Sequence, residues 1–216
     1  MQTTIKQTMK RSISALAVVT SLMLAAPAVA DQDVTTPKEQ FGHNIGDDYK
    51  LINYTQFEQY IRKLASESPR MIVESIGKTA EGRDQLMATI TAPDNFARLA
   101  EYKEIARKLA RADEITEEEA KRYADIGKAV IWIDGGLHAT EVVGAHQLTE
   151  TIYTLVSRED EETMRILDDV IILLTHANPD GMELVSDWYM RKDDEEERSF
   201  RDIPRLYQHY VGHDNN

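Results

Sequence analysis

Two stretches of the chain, residues 129–133 and 170–175, are continuously apolar and rich in β-branched residues, and between them apolar positions recur at helical spacing over residues 141–156. Runs of this kind predict strands buried on both faces, because a strand with one wet face alternates instead. Val142, Val143, Ala145, Leu148, Ile152 and Leu155 form the stripe of the intervening helix, and a shorter helix is predicted over residues 161–167. Strand, helix, strand at these lengths implies a right-handed crossover and parallel neighbours. Upstream, Phe57, Tyr60, Ile61 and Leu64 mark a helix over residues 55–66. Residues 71–76 and 85–90 read as two strands joined by a short polar turn that carries Glu81-Gly82-Arg83. Residues 95–112 are again helical, and Thr116-x-x-Glu119 is a capping box that opens a further helix. These two charged, Ala-rich helices read as a surface insertion over residues 93–127. Residues 31–50 are polar without a period, and residues 31–54 are predicted to be an extension lying over the surface. The resulting fold class is α/β, a mainly parallel or mixed sheet flanked by helices.

The first thirty residues break this pattern. Lys6, Lys10 and Arg11 precede an apolar run over residues 13–26, and Ala28-Val29-Ala30 is a small-x-small cleavage site before Asp31. That order predicts a signal peptide over residues 1–30, and an exported protein, periplasmic or secreted. The run is shorter than the roughly 20 residues that a membrane span needs, and no later segment is apolar enough to cross. The formal net charge is −13, and the leader carries only positive charges, so the remainder is more acidic still. Such a surface repels nucleic acid and anionic membranes.

The chain has no cysteine, so any metal must be held by His, Asp or Glu. In parallel sheets ligands gather at the carboxyl ends of strands. Both candidate motifs sit there: His138-x-x-Glu141 after the first apolar strand, and residues 176–181 after the second. By itself His138-x-x-Glu141 is a common pair, but at a strand-to-helix turn an imidazole and a carboxylate point at one ion, and both suit a zinc that keeps an open position. Asn178-Pro-Asp-Gly181 is strong turn chemistry in its own right. His146, alone among apolar neighbours, reads as structural, His176 as a core or hydrogen-bonding residue, and His43 as a surface residue. The five acids at residues 193–197 lack the alternating ligands and glycine of a calcium loop and read as a solvated loop. Trp188, Tyr189 and Tyr207 either pack on the sheet edge or line a cleft.

The order Gly77-Lys-Thr-Ala-Glu-Gly-Arg83, apolar strand, Gly135-Gly-Leu-His-Ala-Thr-Glu141, apolar strand, Asn178-Pro-Asp-Gly181, Trp188-Tyr-Met-Arg191 and Val211-Gly-His-Asp-Asn-Asn216 resembles the zinc carboxypeptidase family typified by carboxypeptidase A. The resemblance covers residues 55–216, read as the N-terminal part of a domain of that kind. It implies one Zn²⁺, with His138 and Glu141 as two of its ligands. It implies that Arg191 polarises the scissile carbonyl, that Asn216 binds the substrate's terminal carboxylate, and that Asp214 orients His138. The activity implied is hydrolysis of C-terminal peptide bonds by a zinc-activated water, with a peptide or protein C-terminus as the partner.

Thr140 departs from the family, which often has Arg there. The third ligand, the arginine after Asn216, a tyrosine and the general-base glutamate implied by the resemblance all fall beyond Asn216. The chain is therefore expected to stop short of a complete site, with the sheet incomplete and an apolar edge exposed. Two alternatives stay open: an inactive remnant with weak metal binding, and an amidase-like or deacylase-like member of the same superfamily. His209 and His213 are weaker candidates for the third ligand.

Overall fold

The computed structural model describes residues 34–205. The leader, Tyr207, His209, His213, Asp214 and Asn216 lie outside the described residues.

Among the described residues four strands form one sheet: β1 (Met71–Lys78), β2 (Asp84–Ile90), β3 (Ala129–Gly135) and β4 (Val170–His176), in the order β1-β2-β4-β3. β1 and β2 are an antiparallel hairpin, β2 meets β4 antiparallel, and β3 runs parallel to β4. The sheet is thus mixed. Among the described residues eight α-helices flank it: α1 (Pro37–Phe41), α2 (Tyr54–Glu67), α3 (Pro93–Phe96), α4 (Leu99–Ala110), α5 (Glu117–Ile126), α6 (Val142–Ser157), α7 (Glu161–Asp169) and α8 (Pro179–Met190). Among the described residues no helix is long and apolar enough to cross a membrane.

β4 explains the two cores. Successive side chains point to opposite faces, so Ile172 and Leu174 join Tyr60 and Leu64 of α2 and Leu148 and Ile152 of α6 in the main cluster. Ile171 points the other way, onto Tyr102 and Ile105 of α4. Helix α4 therefore does more than decorate the surface, since it covers the second face of the sheet, while α5 buries none of its residues and stays a surface element. Its capping box is present as expected, with Thr116 accepting from the Glu119 backbone N–H.

Three readings change. The apolar run in β3 predicts burial on both faces, yet among the described residues β3 lies at the sheet edge, with Val130, Ile131 and Trp132 about half exposed. Hydrophobicity marks a strand here but not its place in the sheet. The polar extension contains α1, opened by a capping box on Thr36, and Phe41 packs edge-on against Tyr60 at 5.0 Å. Finally, Asn178-Pro-Asp-Gly181 does not merely turn the chain: it opens α8, with Asn178 as N-cap and Pro179 in the first turn.

Candidate metal centre at the strand ends

β3 and β4 end level with each other. Gly135 is in register with His176, and the Ala177 N–H donates to the Gly135 carbonyl at 2.8 Å. The loop after β3 and the start of α8 are therefore neighbours. Gly136 opens the loop with φ +76, and a Cβ there would lie 2.5 Å from Nε2 of His176. Only glycine combines that backbone with that closeness. Asn178 holds the loop from the other side: its side-chain amide donates to the Leu137 carbonyl at 3.1 Å while its Oδ1 accepts from the Gly181 N–H at 2.9 Å. Gly181 lets the helix come in, since a Cβ there would sit 2.7 Å from that of Ala139.

These constraints fix the backbone on both sides of His138. Its side chain is mostly buried and Nδ1 stands 3.2 Å from Oε2 of Glu141, whose carboxylate is largely exposed. Glu141 occupies the N-cap position of α6 without capping it, so its carboxylate is left for other partners beside the positive end of the helix. Two ligands of one tetrahedral zinc, with arms of about 2.0–2.1 Å, stand about 3.3 Å apart. The pair fits a zinc ion in donor type and in spacing. Among the described residues no third His, Asp or Glu joins it.

Arg191 directly succeeds the last residue of α8. Its guanidinium lies over the Trp188 ring, 3.6 Å from the centroid, and donates to the Trp188 carbonyl. Among the described residues nothing joins it to His138 or Glu141, so the structure does not bring the third expected site residue to the other two.

Two other histidines, His146 and His176, have structural surroundings. His146 is buried, accepts from the Ile52 N–H at 3.0 Å through Nε2 and donates to the Val142 carbonyl at 2.8 Å through Nδ1. Burial lowers its pKa and keeps it neutral. His176 is 1% exposed and ringed by Tyr54 and Phe57. Its Nδ1 accepts from the Asn178 N–H at 3.2 Å, which puts the proton on Nε2, and Nε2 has no partner among the described residues. Burial, with a smaller contribution from His146, pushes its pKa down to about 3.

One tethering residue beside the site escapes sequence reasoning. Asp180 accepts from the Thr79 hydroxyl at 2.8 Å, from the Glu81 N–H at 3.1 Å and from the Arg83 guanidinium at 2.7 Å. It ties the β1–β2 turn to the start of α8, joining two motifs about a hundred residues apart in the chain. The only signal was the presence of both motifs, with nothing to say that they touch.

The mixed sheet thus carries an imidazole and a carboxylate side by side at the carboxyl end of β3. The sequence model of the zinc carboxypeptidase family matches residues 57–216, and the chain belongs to that family. Among solved structures it is similar to the carboxypeptidase A of Helicoverpa armigera, at 22% identity and TM-score 0.44 over 62% of this chain and 26% of that one. It is also similar to thrombin-activatable fibrinolysis inhibitor, at 11% identity and TM-score 0.48 over 78% and 33%. A third is the putative carboxypeptidase A of Shewanella denitrificans, at 16% and 0.43 over 76% and 36%. The chain thus spans between a quarter and about a third of the length of these proteins. Comparison with curated proteins finds no significant match.

Proposed function

We propose that this chain supplies two of the metal ligands of an exported zinc carboxypeptidase. The observation that carries the reading is the His138–Glu141 pair, 3.2 Å apart at the carboxyl end of β3 in a chain of that family. His138 would hold the ion through Nδ1 and Glu141 through its carboxylate. A zinc ion there supplies Lewis acidity, which polarises a peptide carbonyl and acidifies water.

The chain's own residues do the rest of the positioning. Asn178 and Gly136 keep the His138 backbone still, so that the imidazole need not reorganise. Asp214 would accept from the second ring nitrogen of His138 and fix its tautomer. Arg191, perched on Trp188, would turn its guanidinium toward negative charge developing on the scissile carbonyl. Asn216 would bind the terminal carboxylate of the peptide. Hydrolysis would need a third ligand and a general base beside this pair. Export rests on the cleavage site at Ala30, and N-terminal sequencing of the protein recovered from periplasm or medium tests it, with Asp31 as the expected first residue.

The central test is zinc titration by equilibrium dialysis alongside release of the C-terminal residue from a peptide. His138→Ala and Glu141→Ala should each abolish stoichiometric zinc and hydrolysis together. Full zinc content in His138→Ala would remove that residue from the ligand set.

A further inference from the structure

Beside the metal pair lies a cleft of about 450 Å³, large enough for one aromatic side chain and its adjoining backbone. One wall is α6, beginning with Val142 and Val143, the two residues after Glu141. Val143 is 76% exposed, far more than an apolar residue at the start of a packed helix requires. The opposite wall is formed by Tyr189 and Phe200, whose rings stack at 4.8 Å.

The rim is a separately built segment, residues 45–51. Arg198, nearly buried, donates to the Tyr49 carbonyl at 2.6 Å, and Lys50 pairs with Glu195. Tyr49 is held at φ +60, a left-handed conformation that is costly for a non-glycine residue and is retained where surroundings enforce it. The charge on the rim is one-sided. Asp48 and Glu150 face the cleft with no hydrogen-bonded or ion-paired partner among the described residues, whereas the only lining ammonium, Lys50, is already engaged. Apolar walls under an acidic rim complement an apolar side chain next to a cation.

We infer that this cleft is a subsite for a peptide segment in which an aromatic or aliphatic residue adjoins a lysine or arginine. The apolar side chain packs between Val143 and the Tyr189–Phe200 pair, and the basic group meets Glu150 and Asp48. The inference rests on the proposed function for its meaning as substrate preference, but binding is measurable without catalysis.

The probe is N-acetyl-Phe-Lys-amide, blocked at both ends so that it has no terminal carboxylate to lose, titrated calorimetrically into the full chain. Saturable one-to-one binding is expected, weakened about fivefold by Glu150→Lys. N-acetyl-Phe-norleucine-amide, the uncharged counterpart, should bind the wild type and Glu150→Lys equally, and Val143→Lys should weaken both peptides. Asp48→Lys, on a different segment, repeats the test should Glu150→Lys disturb α6. No saturable binding, equal affinity of the lysine peptide for wild type and both charge reversals, or loss of binding in His138→Ala would overturn the cleft assignment. A chain that binds zinc and cleaves peptides yet ignores the blocked peptide loses this inference alone. One that binds the blocked peptide but takes no zinc loses only the proposed function.

Discussion

β3 and β4 lie side by side, run parallel and are built from nearly the same apolar alphabet, yet they live in different surroundings. β4 is covered by α2 and α6 on one face and α4 on the other, while β3 stands at the sheet edge with Ile131 and Trp132 half in water. Composition marks what a strand would tolerate; neighbours decide what it receives. The contrast reaches the site as well, because both strands end at it. The loop after β3 is held chiefly by residues at and just beyond the end of β4: His176 against Gly136, Asn178 on Leu137, and Gly181 against Ala139. The less covered strand carries the proposed ligands, and the better covered one fixes them.

Truncating each strand should separate the two environments most sharply. Leu174→Ala removes a fully buried side chain and should cost about 2–5 kcal/mol in urea unfolding. Ile131→Ala, at 44% exposure, should cost less than about 1 kcal/mol; equal losses would dissolve the distinction. Next in size is Asp180→Ala, which strips three donors of their acceptor at the β4 end of the site and should cost about 1–3 kcal/mol. Arg83→Ala in that background should then add little, and full additivity would break the tether.

Acidity offers a third way in. His176 has a folded-state pKa near 3, below the ordinary value of 6.5, so the unfolded chain takes up the proton first as pH falls. Its contribution is present above pH 6.5 and is lost progressively as pH drops toward 3. Melting temperature should therefore decline over that window, and His176→Leu should flatten part of the slope. An unchanged slope in His176→Leu would show that other groups carry it. The smallest effect belongs to the edge: Trp132→Lys should leave stability within about 0.5 kcal/mol and lower self-association in light scattering, because a charge on an edge strand opposes pairing with another chain.

Much of the architecture is legible in the order of residues. The hairpin over residues 71–90, the crossover through α6, the Thr116 box and the positions of His138 and Glu141 at a strand end all come from periodicity and turn chemistry, which are local. α8 is legible too: an Asn N-cap with Pro next to it is a helix start, and reading Asn178-Pro-Asp-Gly181 only as a turn misses it. The acidic run at residues 193–197 has a local 3₁₀ turn over Glu195–Glu197, yet the partnership of Glu195 with Lys50 spans far too much chain to be read from spacing.

The chain's own order of residues settles its family and the types of its elements, and it puts forward two donor groups for a metal, because helical period, strand runs and motif spacing are properties of neighbouring residues. Which strand lies at the edge, which carbonyl Asn178 holds, how Asp180 joins the hairpin to α8, and the acidic cleft beside Glu141 were decided only by the tertiary structure. Each of these depends on distances between segments far apart in the chain, and those distances exist only once both faces of β4 have been covered.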